Sequence, residues 1–243
     1  MIAALMSPAC SAERPSPFAN RSASDLPEFQ NGGPCRPVVS ADLPSGAGCV
    51  SVTEGDADGD GSPDSLTVYA HVNEDRRPRS WHLRLDVSTG VVSQRLDAGN
   101  PFSYPRAVGA ADVDGDGSDE WFVKTLDLAG HGAPWQQLSL FVFGGGSLEE
   151  VTFEGRPLAV RVGGISRLGE GAECRDSGLV LLRAEAQNVR NTRWRTSARF
   201  LRLEGSSTKQ LGRREGRLTI SDYNDPDLNR FYDVNCSGLH YST

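Results

Sequence analysis

Asp56-Ala-Asp-Gly-Asp-Gly-Ser-Pro-Asp64 and Asp112-Val-Asp-Gly-Asp-Gly-Ser-Asp-Glu120 share one pattern, and each leads directly into an apolar strand. That strand reads Leu66-Thr-Val-Tyr69 after the first loop and Trp121-Phe-Val123 after the second. The loops begin 56 residues apart (112 minus 56), and self-similarity at a fixed period signals one supersecondary unit used repeatedly. One more period lands on Leu168–Asp176, followed by Leu179-Val-Leu-Leu182. The strand recurs there, but Leu168, Glu170 and Ala172 stand where aspartates stood. A third loop is therefore expected that keeps the frame and lacks the site.

Outward from the loops, each unit continues as strand, turn and strand. The first reads Trp81–Val87, Ser88-Thr-Gly90, Val91–Leu96; the second Leu138–Phe143, Gly144-Gly-Gly-Ser147, Leu148–Phe153; the third Ala198–Leu203, Glu204–Ser207, Thr208–Leu211. Gly-rich links between β-prone runs are hairpin signals, so the triple glycine reads as a turn rather than a phosphate cradle. Glycine supplies 27 of 243 residues, well above the usual ~7%, which suits short strands with many turns. The expected fold is all-β, with units at 48–102, 103–156 and 157–216 and a partial fourth at Arg217–Thr243. Residues 11–47, with six prolines and no periodicity, read as a Pro/Ser-rich tether and leading loop. Units of this size with several strands each resemble propeller blades, which bury their faces only against neighbours. The expectation is a β-propeller-like array of three to four blades over 48–243. A small closed propeller, an open array and an arc completed by a second copy all stay open.

The loop chemistry points to calcium, which takes about six to eight hard oxygen ligands in flexible geometry. Carboxylates at loop positions 1, 3 and 5 (Asp56, Asp58, Asp60; Asp112, Asp114, Asp116) converge on one point if the chain curls around it. Glycines at positions 4 and 6 allow that curl, since glycine reaches positive φ without a Cβ clash. Position 7, Ser62 or Ser118, would offer its backbone carbonyl, and position 9, Asp64 or Glu120, would close the shell. A solvated Asp/Gly turn without an ion is the competing reading, and recurrence in register favours the metal. An EF-hand needs a bidentate Glu at position 12 between helices, whereas position 12 here is Thr67 or Val123, inside a strand. The pattern resembles the loops of integrin alpha-type FG-GAP and VCBS repeats, in which D-x-D-x-D-G-x-x-D sits between strands of a propeller blade. The resemblance covers about residues 48–182 and implies bound Ca2+ in the first two units and none in the third.

Charge agrees with a local acidic site. The formal charge is −7, from 25 basic and 32 acidic residues. Nine of the acids lie in the two loops, and without them the balance is 25 minus 23, or +2. Carboxylates packed this way repel one another unless a cation sits among them; two calcium ions would bring −7 to −3. Between Arg183 and Arg217, ten basic residues face only Glu185, Glu204 and Glu215, with Trp194 and Phe200 interleaved. That stretch fits contact with an anionic cell-wall polymer or, equally, a solvated outer strand; nucleic acid is not expected of an exported chain.

Five cysteines stand at 10, 35, 49, 174 and 236, with no CxxC pair, and His71, His82, His131 and His240 are scattered. A zinc or redox site is not expected. Residues 1–10 resemble the tail of a bacterial lipoprotein signal, with Cys10 as the lipid anchor. The apolar run Ile2–Met6 is short for such a signal, and Ser7 stands where leucine is preferred, so an ordinary cysteine is the alternative. The other four allow three pairings. Cys35 with Cys49 closes a short loop, and Cys174 with Cys236 would pin the third unit to the C-terminal segment in place of a metal; two buried thiols are the alternative. An even set suits an oxidising compartment, hence a cell-envelope or secreted location, and no run of 18 apolar residues exists to span a membrane.

No nucleophile elbow, metal-histidine pair or Ser/His/Asp grouping stands in a recognisable motif, so no catalytic residue is assigned. Trp81, Trp121, Trp135 and Trp194 read as core more readily than as sugar-stacking platforms. The expected function is a non-enzymatic, calcium-stabilised binding or adhesion protein whose ligand is an extracellular protein or polysaccharide. The alternative is a carbohydrate-active lyase or hydrolase on the same scaffold.

Overall fold

The computed structural model of the chain describes residues 34–98, 103–127, 135–175, 178–221 and 225–242. Cys10, the tether up to residue 33 and His131 lie outside the described residues. The fold is all-β, with one short helix among the described residues.

The first sheet is a four-stranded antiparallel meander of β1 (Ala47–Gly55), β2 (Asp64–Val72), β3 (Pro78–Val87) and β4 (Gly90–Leu96). β2 is buried on both faces through Ala70, which is why it reads as a near-continuous apolar run rather than an alternation. β3 alternates, with Trp81, Leu83 and Leu85 turned inward, and β4 is the exposed edge. The same pattern returns in β5 (Arg106–Ala111), β6 (Glu120–Asp127), β7 (Trp135–Gly144) and β8 (Ser147–Glu150). The triple glycine forms the β7–β8 turn, with Gly145 at φ +59° and Gly146 at +79°, the double positive φ of a tight hairpin. Each acidic loop joins the first strand of its meander to the second.

The two meanders share a core. Leu66, Val68, Leu83 and Leu85 of the first pack with Trp121, Val123, Phe141 and Leu148 of the second, each contributing roughly 1.5–3 kcal/mol by leaving water. β1 and β5 lie so close that a Cβ on Gly55 would fall 2.5 Å from that of Ala110.

The remainder departs from the expected repeat in three ways. After the short strands β9 (Thr152–Phe153) and β10 (Arg156–Pro157), β11 (Val160–Ile165) pairs with β7 through Val160↔Leu138 and with β12 (Leu168–Arg175) through Gly163↔Glu170. The second meander and the third unit therefore merge in one thirteen-stranded sheet. Secondly, the expected third loop is a strand. Residues of β12 pair one for one with β13 (Gly178–Ala186), from Leu168↔Glu185 to Arg175↔Gly178. With Leu168, Glu170 and Ala172 alternating against Gly169 and Gly171, the segment starts on the two-residue period of a strand and has no carboxylate trio to curl it. Thirdly, Arg217–Thr243 is not the start of a fourth repeat. Arg217 ends within β15 (Ser207–Thr219), the partner of β14 (Arg193–Glu204). Then follow α1 (Pro226–Asn229), capped by Asp225, and a hairpin of β16 (Asp233–Cys236) and β17 (Leu239–Ser242). β16 lies parallel to β12, over Gly171, where a Cβ would meet the Asp233 carbonyl oxygen at 2.6 Å.

The large sheet curls back towards itself at Val151. Its N–H donates to Leu140 O (2.8 Å), and the next N–H, of Thr152, donates to Ser206 O (2.9 Å). The chain thus steps from the edge of β7 to the edge of β15, where β9 pairs in parallel. Inside the curl lie Leu138, Leu140, Val160, Leu179 and Leu201. On the other face of β13 and β14, Leu182, Ala184 and Trp194 pack under Leu228 and Phe231 of the C-terminal segment.

Both expected disulfides are present. Cys35–Cys49 fastens the leading segment, where Cys35 and Leu43 are buried and Pro37 bridges to Gly48; part of the expected tether is thus built into the fold. Cys174–Cys236 joins the neighbouring strands β12 and β16. The pair fits an oxidising, extracellular compartment. Among the described residues no helix is long and apolar enough to cross a membrane.

Candidate metal centres

Each acidic loop is bent by its own side chains. Asp56 Oδ1 accepts from Asp60 N–H (3.1 Å) and Oδ2 from Gly61 N–H (2.8 Å). Asp112 repeats this with Gly115 (2.6 Å) and Gly117 (3.1 Å). Local Asx bonding of this kind competes with strand pairing and makes the chain turn. The curl needs positive φ at positions 4 and 6, and the glycines supply it, with Gly59 at +71°, Gly61 at +81°, Gly115 at +79° and Gly117 at +93°.

The result gathers the carboxylates expected to meet. Asp56, Asp58 and Asp60 each bring one oxygen within 4.8 Å of the others, and Asp112, Asp114 and Asp116 do the same. Position 9 behaves differently. Asp64 Oδ2 accepts the Ala57 N–H at 2.8 Å, and Glu120 Oε2 accepts the Val113 N–H at 2.7 Å, both in buried positions. These two carboxylates brace the base of the loop and stand outside the trios, each with one oxygen beyond that bond. Ser62 is exposed and Ser118 half-buried, and their N–H groups donate to Asp60 (2.7 Å) and Asp116 (2.8 Å).

Burial and mutual repulsion set the electrostatics of the loops. Burial, reinforced by Asp58, Asp60 and Asp56, pushes the Asp64 carboxyl up to about 6. Burial, with the repulsion of Asp114, Asp116 and Asp112, pushes Glu120 up to about 8. Asp114 is raised as well, by burial and then by Asp116. Asp60, open to solvent, is held low by the Ser62 N–H. For each raised group burial is the larger cause, and the negative charge of the neighbouring carboxylates adds to it. The donors are all hard oxygens, so the set fits a divalent cation such as calcium and does not fit a soft thiophilic metal.

The sequence did not announce that the two loops touch. Asp119 Oδ2 accepts from Asp56 N–H (2.8 Å), and Asp119 N–H donates to Asp56 O (2.6 Å). Position 8 of the second loop thus clasps position 1 of the first. Asp58 is also tied to the β3–β4 turn, where the Ser88 hydroxyl donates to its Oδ2 at 3.2 Å. Only the Asp at position 8, absent from the first loop, hinted at a separate role.

The other sequence candidates resolve towards packing. Trp81, Trp121 and Trp194 are buried and Trp135 is half-buried. Trp194 and Phe200 lie on the face opposite Arg199 and pack in the C-terminal core, so they are not interleaved with the arginines at a surface. No protein-family model matches the chain, and the search of curated proteins found no match.

Proposed function

We propose that this chain is an exported, calcium-stabilised binding protein of the cell envelope or the extracellular space, without catalytic activity of its own. The observation that carries the reading is the duplicated carboxylate trio, Asp56/Asp58/Asp60 and Asp112/Asp114/Asp116, set at the same place in two successive meanders. In this reading Ca2+ is held by each trio, with the Ser62 and Ser118 carbonyls and the free oxygens of Asp64 and Glu120 completing the shell. The loops then act as FG-GAP/VCBS-type calcium loops, and the two meanders as propeller-type blades that share a core. Each ion fastens the first strand of a blade to the second, because binding to the native state alone adds stability by mass action. The two disulfides support an oxidising location, and lipidation of Cys10 is the proposed means of attachment where a membrane anchor exists. The partner is an extracellular protein or polysaccharide.

Calorimetric titration of the metal-stripped protein with calcium tests the metal. Two equivalents are expected, one lost in Asp58→Ala and the other in Asp114→Ala. A flat titration would end the calcium reading. A parallel screen against polysaccharide and ester substrates tests the absence of catalysis, and turnover above background would overturn it.

A further inference from the structure

The inner face of the large sheet changes character along its length. On β13, Leu179 and Leu181 belong to the core inside the curl, and two residues on the same face carries Arg183. On β14, Leu203 and Leu201 are followed on that face by Arg199. The apolar core therefore opens into a cleft of about 780 Å³ whose walls carry Arg156, Arg161, Arg183, Arg199 and Arg213. Against these five stand Glu154 and Glu170, a balance of +3 within one concavity. Its floor is apolar, from Leu158 and Leu181.

Three features mark this cleft. Like charges are directly opposed at Arg195/Arg217, Arg199/Arg213 and Arg202/Lys209 in the β14–β15 register, an arrangement that destabilises a sheet, and of these pairs only Arg199/Arg213 lines the concavity. Beside them the register shifts at Phe200/Leu201, where Leu211 of β15 is the extra residue; such bulges re-aim side chains and cluster next to binding sites. Neutralisation is also partial. Glu170 is shared by Arg183 (3.2 Å) and Arg161 (4.0 Å), and Arg213 meets Glu215 at 3.0 Å in an exposed pair. The Arg199 guanidinium lies over the Phe153 ring, 5.6 Å from its centre. Among the described residues no carboxylate lies in ion-pair reach of Arg156 or Arg199.

We infer that this cleft binds a compact ligand bearing several tetrahedral oxyanions, phosphate or sulfate groups, on a scaffold of sugar or cyclitol size. The guanidinium fork matches such oxyanions two donors at a time, and the volume is that of an ordinary small-ligand site with the apolar lining largely replaced by charge. The inference gives the ligand chemistry of the binding-protein reading, but the arginines lie apart from the acidic loops and the cleft needs no calcium.

Fluorescence or calorimetric titration of the whole chain with sucrose octasulfate and with inositol hexakisphosphate, in chelator, tests it; the sulfate probe is repeated with calcium. Saturable one-site binding that weakens with salt is expected. Arg199→Gln and Arg213→Gln should each weaken it about tenfold, and Arg156→Gln, at an exposed site, does the same with little risk to folding. Arg202→Gln, on the opposite face of β14, should leave it unchanged. Binding of one probe alone assigns phosphate or sulfate, and equal binding supports the shared chemistry. No binding of either probe, or an equal loss in Arg202→Gln, would overturn the inference. Oxyanion binding in chelator together with a flat calcium titration would keep this site and reject the calcium one.

Discussion

Replacing Asp119 by alanine is expected to weaken metal binding in the other loop, the one from Asp56 to Asp64. The Asp119 carboxylate holds the Asp56 N–H at 2.8 Å, and Asp56 is the first residue of the trio proposed to hold the ion in that loop. A hydrogen bond to a charged acceptor contributes about 1.5–3 kcal/mol. Both residues are half-buried, which places this one at the lower end, about 1.5 kcal/mol. If that bond sets the aim of Asp56, losing it lowers first-loop affinity roughly tenfold and the melting temperature by about 3–6 °C. The measurement belongs in an Asp114→Ala background, so that only the first loop binds calcium. There, Asp119→Asn keeps an acceptor and removes the charge, and should lose clearly less affinity than Asp119→Ala. Two results would refute the reasoning. Unchanged affinity in Asp119→Ala would mean that the clasp does not aim Asp56; equal losses in the two variants would mean that only charge matters.

Chelation should lower the melting temperature by several degrees, calcium should restore it, and the Asp58→Ala/Asp114→Ala double variant should melt like the chelated protein in either condition; identical melts with and without calcium would remove the structural role. In chelator, stability should fall as pH rises, first through about 6 and then through about 8. The native state holds protons on Asp64 and Glu120 that the unfolded chain has already released, so their contribution is complete below the unfolded carboxylate range and lost above the native values. Melts at stepped pH check this, and calcium should flatten the trend. Cys236→Ser should loosen the C-terminal hairpin while leaving both calcium equivalents; closing a separation of 62 residues contributes about 4 kcal/mol in the chain-entropy picture. Hydrogen exchange confined to β16, β17 and the facing part of β12 is the expected signature, and global loss of protection would contradict it.

The parts of this molecule that were legible in its sequence are those written in local chemistry. Asp, Gly and Ser at fixed offsets dictate the loop curl, and the two-residue period of Trp81, Leu83 and Leu85 dictates a half-buried strand. The third unit was misread because its frame was inferred from position alone. From Leu168 to Ala172 the residues themselves alternate like a strand, and this local pattern prevailed over the repeat. The merging of the second and third units was invisible because it depends on β11 meeting β7 and β12 at once, a contact that leaves no local mark. At the candidate metal centres the trios were legible and the bracing roles of Asp64 and Glu120 were not. Both serve as hydrogen-bond acceptors for a backbone N–H seven residues earlier, which a ligand-counting rule does not see. The arginine cleft was visible only as a charge excess, since nothing in the sequence shows that the arginines of five strands converge.

The parallel seating of β16 on β12 has a consequence for the order in which the chain folds. Every strand of the first sheet pairs with its sequence neighbour, so that sheet closes only short loops and is expected to form early. The large sheet instead needs Thr152 to find Ser207 and Ala172 to find Val234, and contacts of such long range form slowly. During synthesis the first sheet and both acidic loops are complete well before residue 233 emerges. Until then the stretch of β12 that β16 will cover presents a bare edge, and an unpaired edge invites pairing with another chain. Chains cut short of β16 are accordingly the ones expected to aggregate, even with both acidic loops intact.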